Sequence, residues 1–249
     1  MTVAQHIQYS HNGKLVHAIK ADLGAIVLRN IGATAVVNQP KFGVNGTFFN
    51  LTNGQLTGIA MQNGARVHTN GHLNQGPCGT ATKRGTMYCY NGGNAISTGV
   101  VGAYTETSLS NIKWAIGGYS LFPNVSYANS AAFYTAINGT GDANACTDAK
   151  ANTQNAYRFS PSINRPRTAI GWDGSKIWLA VFQSENAYEV RQFMINRGCN
   201  LAIMLDGGSS SQMKYAVVRN GNPSPVSYDP GNEQRPVYTM VAVEATDWV

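Results

Sequence analysis

A strand, a helix and a second strand follow one another near the carboxyl end of the chain, and this order limits the fold more than any other feature. The stretch "RPRTAIGWDGSKIWLAVF" (165–182) has two apolar runs around an Asp-Gly dipeptide, a strong signal for a β-hairpin. Residues 184–198 then carry apolar side chains at helical spacing, with Ser184 as the predicted N-cap and Gly198 as the end. Glu185 is expected in the first helical turn, where the helix dipole favours a carboxylate.

The run "CNLAIML" (199–205) is typical of a short strand that is buried on both faces. The order strand, helix, strand predicts a right-handed crossover into a parallel pairing. Because ligand crevices of α/β sheets open at the carboxyl ends of strands, Asp206 and the glycines that follow it are candidates for a binding site. A plain Asp-Gly turn explains the same residues equally well, so spacing alone leaves both readings open.

The rest of the chain is rich in strand and turn signals. It has 249 residues, 27 glycines and only 12% charged residues, against about 25% in typical domains. Hairpin patterns recur between residues 51 and 110, whereas the segment 123–164 has weak periodicity and is expected to be a long loop or lid. We therefore predict a single strand-rich α+β domain over residues 1–249, with a mixed twisted sheet, several hairpins and one or two packed helices.

Charge and composition exclude several classes of function. The net charge is +6, but the basic residues are scattered, which favours a small anionic substrate over a nucleic-acid polymer. The sequence contains no zinc, P-loop or dinucleotide motif, so neither a metal nor another cofactor is expected. The four cysteines lack metal-site spacing and are predicted to be buried thiols: Cys78, Cys89, Cys146 and Cys199.

The amino-terminal stretch "MTVAQHIQYSHNGKL" lacks the pattern of a signal peptide, and no apolar run reaches membrane-spanning length. These features predict a protein that stays in the cytoplasm where it is made, with lysis or a phage particle as the alternative route of release. No membrane partner is expected.

Four further polar residues are candidates for the same site. Arg167 and Arg235 could clamp a phosphate or carboxylate, although arginines at strand ends are more often surface residues. Asn45 could point its amide into the pocket or simply precede a turn glycine. Glu233 could pair with Arg235, act as a second acid or be a loop charge.

Six short motifs, taken in order, resemble the phosphodiester glycosidase family, which includes the uncovering-enzyme type that removes N-acetylglucosamine from a sugar phosphodiester. They are "NGTFF" (45–49), "GIAMQNG" (58–64), "GGYSL" (117–121), "RTAIG" (167–171), "LDGGSSSQM" (205–213) and "EQRPV" (233–237). The chain departs from the family pattern at three places: Thr47 and Ser209 replace glycines, and Gln234 is inserted between Glu233 and Arg235.

The resemblance implies a hydrolase that cleaves a sugar-1-phosphodiester, a small molecule or a polymer, into free sugar and a phosphate monoester without a cofactor. It implies catalytic roles for Asp206, Arg167 and Glu233. The substrate contacts that it implies come from Asn45, Thr168, Gly207, Gly208, Ser209, Arg235 and Gly118. Two alternatives stay open: the same chemistry on a nucleotide or cell-wall polymer, and a non-catalytic glycan-binding or virion module.

Overall fold

The computed structural model describes residues 1–69, 75–76, 79–90, 96–101, 111–137 and 161–249. In chain order the strands are β1 (Val3–His11), β2 (Lys14–Asp22), β3 (Ile26–Thr34), β4 (Phe42–Asn45), β5 (Ala60–Gln62), β6 (Ala65–Arg66), β7 (Gln75–Gly76), β8 (Gly79–Tyr90), β9 (Ile96–Val101), β10 (Ile112–Ser120), β11 (Arg165–Trp172), β12 (Lys176–Glu185), β13 (Leu201–Met204), β14 (Met213–Arg219), β15 (Asn222–Tyr228), β16 (Val237–Val243) and β17 (Asp247–Trp248). The helices are α1 (Ser130–Ile137) and α2 (Ala187–Asn196), and short 3₁₀ turns lie at Leu23–Ala25, Val36–Asn38 and Gly208–Ser210. No helix in these described ranges is long and apolar enough to cross a membrane.

The strands form two sheets. The large sheet has the order β17-β1-β2-β12-β11-β13-β10-β5-β6, and β8 joins β7 and β9 to β10. It is mixed, because β1 and β17 are parallel whereas the other recorded pairs are antiparallel. The small sheet has the order β15-β14-β4-β16-β3. The predicted strand-rich α+β class with a mixed sheet is confirmed, and so are the hairpins β5-β6 and β8-β9.

Side chains alternate across the large sheet and create two apolar layers. Leu179 of β12 belongs to the core cluster between the two sheets, together with Val44 and Val241 of the small sheet. Phe182, on the opposite face of β12, meets Phe193 of α2 edge-on, with ring centroids 5.2 Å apart. The layers therefore run from the helices through the large sheet to the small sheet.

The predicted crossover through α2 is present, but the predicted direct parallel pairing is wrong. Both β12 and β13 pair antiparallel with β11, which lies between them. The Asp173-Gly174 hairpin places β11 against β12 first, and α2 then carries the chain past β11 to its free edge. The strands β12 and β13 are parallel in direction for this reason, without a hydrogen bond between them.

The beginning of α2 also differs from the prediction. Asn186, not Ser184, is the N-cap: its side chain accepts a hydrogen bond from Glu189 N, and the Glu189 carboxylate accepts one from Asn186 N. This reciprocal pair is a capping box. Ser184 and Glu185 belong to β12, so Glu185 does not lie in the first helical turn.

Part of the predicted loop 123–164 is ordered against the helical layer. It contains α1, and the guanidinium of Arg191 on α2 donates to the carbonyl oxygens of Phe122 and Val125. Arg191 also lies over the ring of Tyr127, 5.0 Å from its centroid. Residues 138–160, and with them most of the predicted lid, lie outside the described residues.

The cysteines agree with the prediction where they can be compared. Cys89 and Cys199 are both buried. Burial raises the pKa of the Cys199 thiol to about 12. Cys78 and Cys146 lie outside the described side chains.

Candidate active site

The antiparallel register of β11 and β13 brings two sequence motifs together. Ala169 pairs with Met204, and the amide of Leu205 donates to the carbonyl of Thr168 over 2.8 Å. The start of the "RTAIG" strand therefore lies beside the residues that follow β13. Arg167 and Asp206, which are 39 positions apart in the numbering of the chain, consequently belong to the same end of the large sheet.

Asp206 is partly buried, and the backbone around it is fixed. Its amide donates to the carbonyl of Gly46 over 3.3 Å, and its own carbonyl accepts from Asn45 Nδ2 over 2.8 Å. The carboxylate Oδ1 accepts from the amide of Gly207 over 2.9 Å. A local bond of this kind limits the rotation of the side chain and aims the carboxylate.

Asn45 is completely buried and joins three segments of the chain. Its Oδ1 accepts hydrogen bonds from Thr168 Oγ1 over 2.7 Å and from the backbone amide of Gln212 over 3.1 Å. Its Nδ2 donates a hydrogen bond to the Asp206 carbonyl. Thr168 is also completely buried. Both residues therefore act within the protein, where they fix the loop that carries Asp206, and neither presents a polar atom to solvent.

The side chain of Arg167 lies beside the loop that begins with Asp206 and Gly207. It is only 5% exposed, and its Nε donates to the carbonyl of Glu185 over 3.2 Å. A β-carbon added at Gly207 would lie 3.6 Å from Arg167 Cδ and 3.8 Å from Nη1. Because Gly207 has no side chain, the guanidinium packs directly against the backbone that follows Asp206.

The backbone of Arg235 is held by a hydrogen bond from Gln212, the residue before β14. Gln212, which is completely buried, donates from Nε2 to the Arg235 carbonyl over 2.7 Å. The preceding loop turns around Asp229, whose carboxylate accepts from the amides of Asn232 and Gln234. Gln234 has a positive φ of 45°. The inserted residue is thus accommodated in a turn that the Asp229 carboxylate stabilises.

The same loop approaches the turn after Asp206. A β-carbon added at Gly231 would lie 3.4 Å from Ser209 Cα. Arg235 is half-buried, and its guanidinium makes no hydrogen bond or ion pair with any described residue. Glu233 is exposed on this loop and, within the same described ranges, has no ionic partner either.

Thr47 and Gly118 occupy packing positions beside the site. Thr47 is buried and donates to the carbonyl of Gly117 over 2.7 Å, and a β-carbon at Gly58 would lie 1.7 Å from its hydroxyl oxygen. A β-carbon at Gly118 would lie 2.4 Å from the carbonyl oxygen of Met204. The requirement for glycine at position 118 therefore follows from the close approach of β10 and β13.

Two buried residues next to this group differ from the sequence prediction: Gln212 has no predicted role, and Glu185 is predicted in a helical turn. Gln212 stands directly before β14, and Glu185 is the last residue of β12, after Gln183 and Ser184. A polar residue at the edge of a buried strand is a weak signal, because most such residues are solvated. Burial and the neighbouring Glu189 carboxylate raise the pKa of Glu185 to about 8.

Among the residues that the structure describes, no group of three or more His, Cys, Asp or Glu side chains is arranged to hold a metal ion.

Comparison with known proteins identifies the family of the chain. The sequence profile of the phosphodiester glycosidase family matches residues 38–244. The chain therefore belongs to the phosphodiester glycosidase family, as its motifs predict. Membership of this family supports a glycosidase type of hydrolytic activity in general terms. None of the curated proteins matches the sequence at a significant level.

A solved structure with a TM-score above 0.5 supports this fold. The catalytic domain of zebrafish N-acetylglucosamine-1-phosphodiester alpha-N-acetylglucosaminidase, auto-inhibited by its pro-peptide, is 17% identical with a TM-score of 0.62; the match covers 98% of this chain and 83% of that one. A hypothetical protein from Synechocystis is 14% identical with a TM-score of 0.47, over 96% of this chain and 61% of that one. At 17% identity the likeness to the zebrafish domain concerns the fold alone.

Proposed function

We propose that this protein hydrolyses the glycosidic bond of a sugar-1-phosphodiester and releases the free sugar and a phosphate monoester. The observation that carries the proposal is the packing of Arg167 against Gly207, in the loop that begins with the Asp206 carboxylate. A cation and an aimed carboxylate on one loop suit a substrate in which a phosphate is attached directly to an anomeric carbon.

Arg167 and Arg235 are the proposed phosphate ligands. A guanidinium can bind two phosphate oxygens at once, and it keeps its charge over the whole working pH range. Arg167 is held by the Glu185 carbonyl, whereas Arg235 has no ionic partner in the described ranges. Arg167 would thus be a rigid cation, and the guanidinium of Arg235 would be available to pair with an anion. Together they suit the binding of a small anion.

In the proposed overall reaction the bond from the anomeric carbon to the phosphate oxygen breaks, a water oxygen bonds to that carbon directly or after a covalent intermediate, and one proton of the water passes to a carboxylate or to solvent. The electron pair of the broken bond leaves with the phosphate, and the two arginines stabilise the negative charge that develops there. Because a phosphate is a good leaving group, little help from a general acid is needed.

Asp206 is the proposed catalytic carboxylate. It would stabilise the oxocarbenium-like centre, attack it, or take the proton of the incoming water. Attack followed by hydrolysis of a covalent intermediate retains the configuration of the sugar, whereas activation of water inverts it. NMR of the first-formed sugar anomer distinguishes these two roles.

The remaining predicted residues have supporting roles in this proposal. The backbone of Gly207 and Gly208 and the side chain of Ser209 border the substrate. Asn45 and Thr168 act by holding the Asp206 loop, since both are completely buried. Glu233 is the candidate second acid, two residues before Arg235 on an exposed loop.

The proposal is tested with a panel of sugar-1-phosphodiesters, sugar nucleotides and a glycosylated wall polymer, with released sugar as the signal. We expect turnover of at least one small phosphodiester. Asp206→Asn should lower kcat by at least about 100-fold, as removal of a catalytic carboxylate does. Asp247→Asn, at an exposed position on β17, is the matched control and should have wild-type kcat.

Two results would contradict the proposal. One is a folded protein that releases sugar from no member of the panel. The other is an Asp206→Asn variant with unchanged turnover. Binding of the same compounds without turnover would instead favour a non-catalytic glycan-binding module.

A further inference from the structure

Thr47 is a buried polar residue whose hydroxyl bridges the two sheets beside the proposed site. It lies two residues after β4 of the small sheet and is only 2% exposed. Its Oγ1 donates a 2.7 Å hydrogen bond to the carbonyl oxygen of Gly117, on β10 of the large sheet. Because a buried hydroxyl without a partner is costly, this contact fixes where residue 47 lies relative to β10.

The space for this hydroxyl is provided by a glycine on the facing loop. A β-carbon added at Gly58 would lie 1.7 Å from Thr47 Oγ1 and 3.0 Å from Thr47 Cβ, which is well inside van der Waals contact. The carbonyl oxygen of Gly117 would be at an ordinary 3.4 Å. The φ of Gly58 is not positive. The Thr47 side chain, and not the backbone conformation, is therefore what requires glycine at position 58.

The peptide group between Gly46 and Thr47 contacts Asp206. Its carbonyl oxygen, which belongs to Gly46, accepts a 3.3 Å hydrogen bond from the Asp206 amide. The amide of Gly46 donates to the carbonyl of Thr239, on β16, over 2.8 Å. Gly46 is thus bonded to the small sheet through its own amide and to the large sheet through the neighbouring Thr47 hydroxyl. The orientation of the carbonyl that receives the Asp206 amide follows from both bonds.

We propose that Thr47 is a positioning residue for Asp206: its hydroxyl holds the Gly46–Thr47 peptide against β10, and this peptide fixes the backbone from which the Asp206 carboxylate is aimed. Asn45 binds the carbonyl of Asp206 and Gly46 binds its amide, so consecutive residues of one segment hold both sides of Asp206. The inference rests on the proposed function only in that Asp206 acts on the substrate. It assigns the Thr47 hydroxyl to the chemical step and not to the binding of the phosphate.

Amide hydrogen exchange, followed residue by residue by NMR on the full chain, tests this positioning. Thr47→Val keeps the branched shape but has no hydroxyl. The Asp206 amide should exchange at least about fivefold faster in this variant, the factor expected for the loss of one buried hydrogen bond. The amide of Leu205, which donates to the Thr168 carbonyl over 2.8 Å, is the internal reference and should keep its rate. The same ratio of the Asp206 and Leu205 rates in Thr47→Val and the wild type would overturn the proposal.

Two matched variants separate the hydroxyl from the volume of the side chain. Thr47→Ser keeps the hydroxyl and should restore the wild-type ratio of the two exchange rates. Thr52→Val makes the same substitution at an exposed position of the same connection between β4 and β5, and it should leave the ratio unchanged. A ratio in Thr47→Ser as high as that in Thr47→Val would show that packing of the methyl group fixes this segment, and it would reject the role of the hydroxyl.

Gly58→Ala reaches the same contact from the opposite side and protects the test against a failure of Thr47→Val to fold. The new β-carbon would overlap the Thr47 hydroxyl and displace it from the Gly117 carbonyl, so the Asp206 amide should again exchange faster than in the wild type. In a Thr47→Gly background both overlapping atoms are gone, and Gly58→Ala should then change the ratio of exchange rates no further. An unchanged ratio in the Gly58→Ala single variant contradicts the proposal.

Kinetics distinguishes a failure of this inference from a failure of the proposed reaction. On a phosphodiester that the wild type cleaves, Thr47→Val should lower kcat about tenfold with KM unchanged, and Thr47→Ser should restore kcat. Hydrogen exchange does not require turnover. A protein that has the expected exchange ratios but cleaves no phosphodiester would keep the role of Thr47 and reject the reaction. An active protein in which Thr47→Val changes neither kcat nor the exchange ratio would keep the reaction and reject the role of Thr47.

Discussion

Gln212 Nε2 donates a 2.7 Å hydrogen bond to the carbonyl oxygen of Arg235, and the backbone of Gln212 is bonded to Asn45 on its other side. One completely buried residue thus connects the loop that presents Arg235 to Asn45, which holds the Asp206 loop. The loops that carry Asp206 and Arg235 are therefore joined by a chain of hydrogen bonds through the interior of the protein. This connection makes the positions of the two loops interdependent.

Replacement of Gln212 by Met should weaken the binding of a phosphodiester. Met fills a similar volume but cannot donate a hydrogen bond. The loss of one buried hydrogen bond corresponds to about 1 kcal/mol, or a KM about fivefold higher.

Arg235→Ala should raise KM further. Adding Gln212→Met to Arg235→Ala should raise KM little more, since both changes act through Arg235. Gln8→Met, at an exposed position on β1, is the control. Fully additive effects in the double variant would show that Gln212 does not act through Arg235.

Asn45→Ala should destabilise the fold and impair the site together. It leaves the hydroxyl of Thr168, the amide of Gln212 and the carbonyl of Asp206 without their buried partner. Buried unsatisfied groups cost about 1 to 3 kcal/mol each, so we expect a loss of at least about 2 kcal/mol in the free energy of unfolding.

Urea denaturation measures the stability of Asn45→Ala, with the exposed Asn222→Ala as the matched control. The control should unfold at the wild-type urea concentration. An Asn45→Ala protein with wild-type stability would mean that the Asn45 network is not what fixes the Asp206 loop.

The fold class and the positions of several candidate residues in the fold could be predicted from the sequence, for identifiable reasons. The apolar periods of β11, β12, α2 and β13 are strong, and the Asp173-Gly174 turn is local, so these elements and the placement of Asp206 after a buried strand follow directly from the pattern. The pairing partner of β13 could not be predicted in this way. It depends on whether α2 spans one strand position or two, and nothing in the local pattern encodes that distance.

The buried polar contacts also could not be predicted from the sequence. Asn45 was recognisable as a candidate, but its role as a buried connector depends on three segments that meet only after folding. Glu185 was assigned to a helical turn because acids are favoured there; the side chain of Asn186 captured the N-cap position instead and left Glu185 in the strand. Competition between adjacent capping residues is decided by tertiary packing, which a single sequence does not show.

Gly207→Ala should disturb Arg167 without unfolding the protein. The added β-carbon would lie 3.2 Å from the carbonyl of Pro166 and 3.6 Å from Arg167 Cδ. The φ of Gly207 is −134°, which alanine adopts without strain. We expect kcat/KM to fall about tenfold through displacement of the guanidinium, with a change in stability of less than about 1 kcal/mol.

The control for Gly207→Ala is Gly24→Ala, where the new β-carbon meets only Thr2 Cγ2 at 3.4 Å on the exposed side of a 3₁₀ turn. This variant should keep wild-type kcat/KM. Unchanged kinetics in Gly207→Ala would indicate that the close contact between Arg167 and the loop is not required for the reaction.

A histidine pair between the two sheets should make the protein sensitive to acid. His6 Nε2 and His17 Nδ1 are 2.9 Å apart, and the His6 ring stacks on Tyr215 of the small sheet with centroids separated by 3.5 Å. Burial lowers the pKa of His17 to about 4, and burial together with the neighbouring His17 lowers that of His6 to about 4. Both imidazoles are therefore neutral in the folded protein at neutral pH.

The direction of the acid effect follows from proton binding. An unfolded chain protonates these histidines near pH 6.5, whereas the folded protein resists protonation until about pH 4. Between these values the unfolded state binds more protons, so the free energy of unfolding should decrease as the pH falls.

His17→Gln removes one of the two histidines and also removes the neighbouring imidazole that lowers the pKa of His6. It should therefore reduce the dependence of the free energy of unfolding on pH by about half or more. Urea denaturation at half-unit steps from pH 7 to pH 4 measures the slope, and Tyr215→Phe, which keeps the stacked ring and both imidazoles, should retain it. Equal slopes for His17→Gln and the wild type would mean that other groups are responsible for the acid sensitivity.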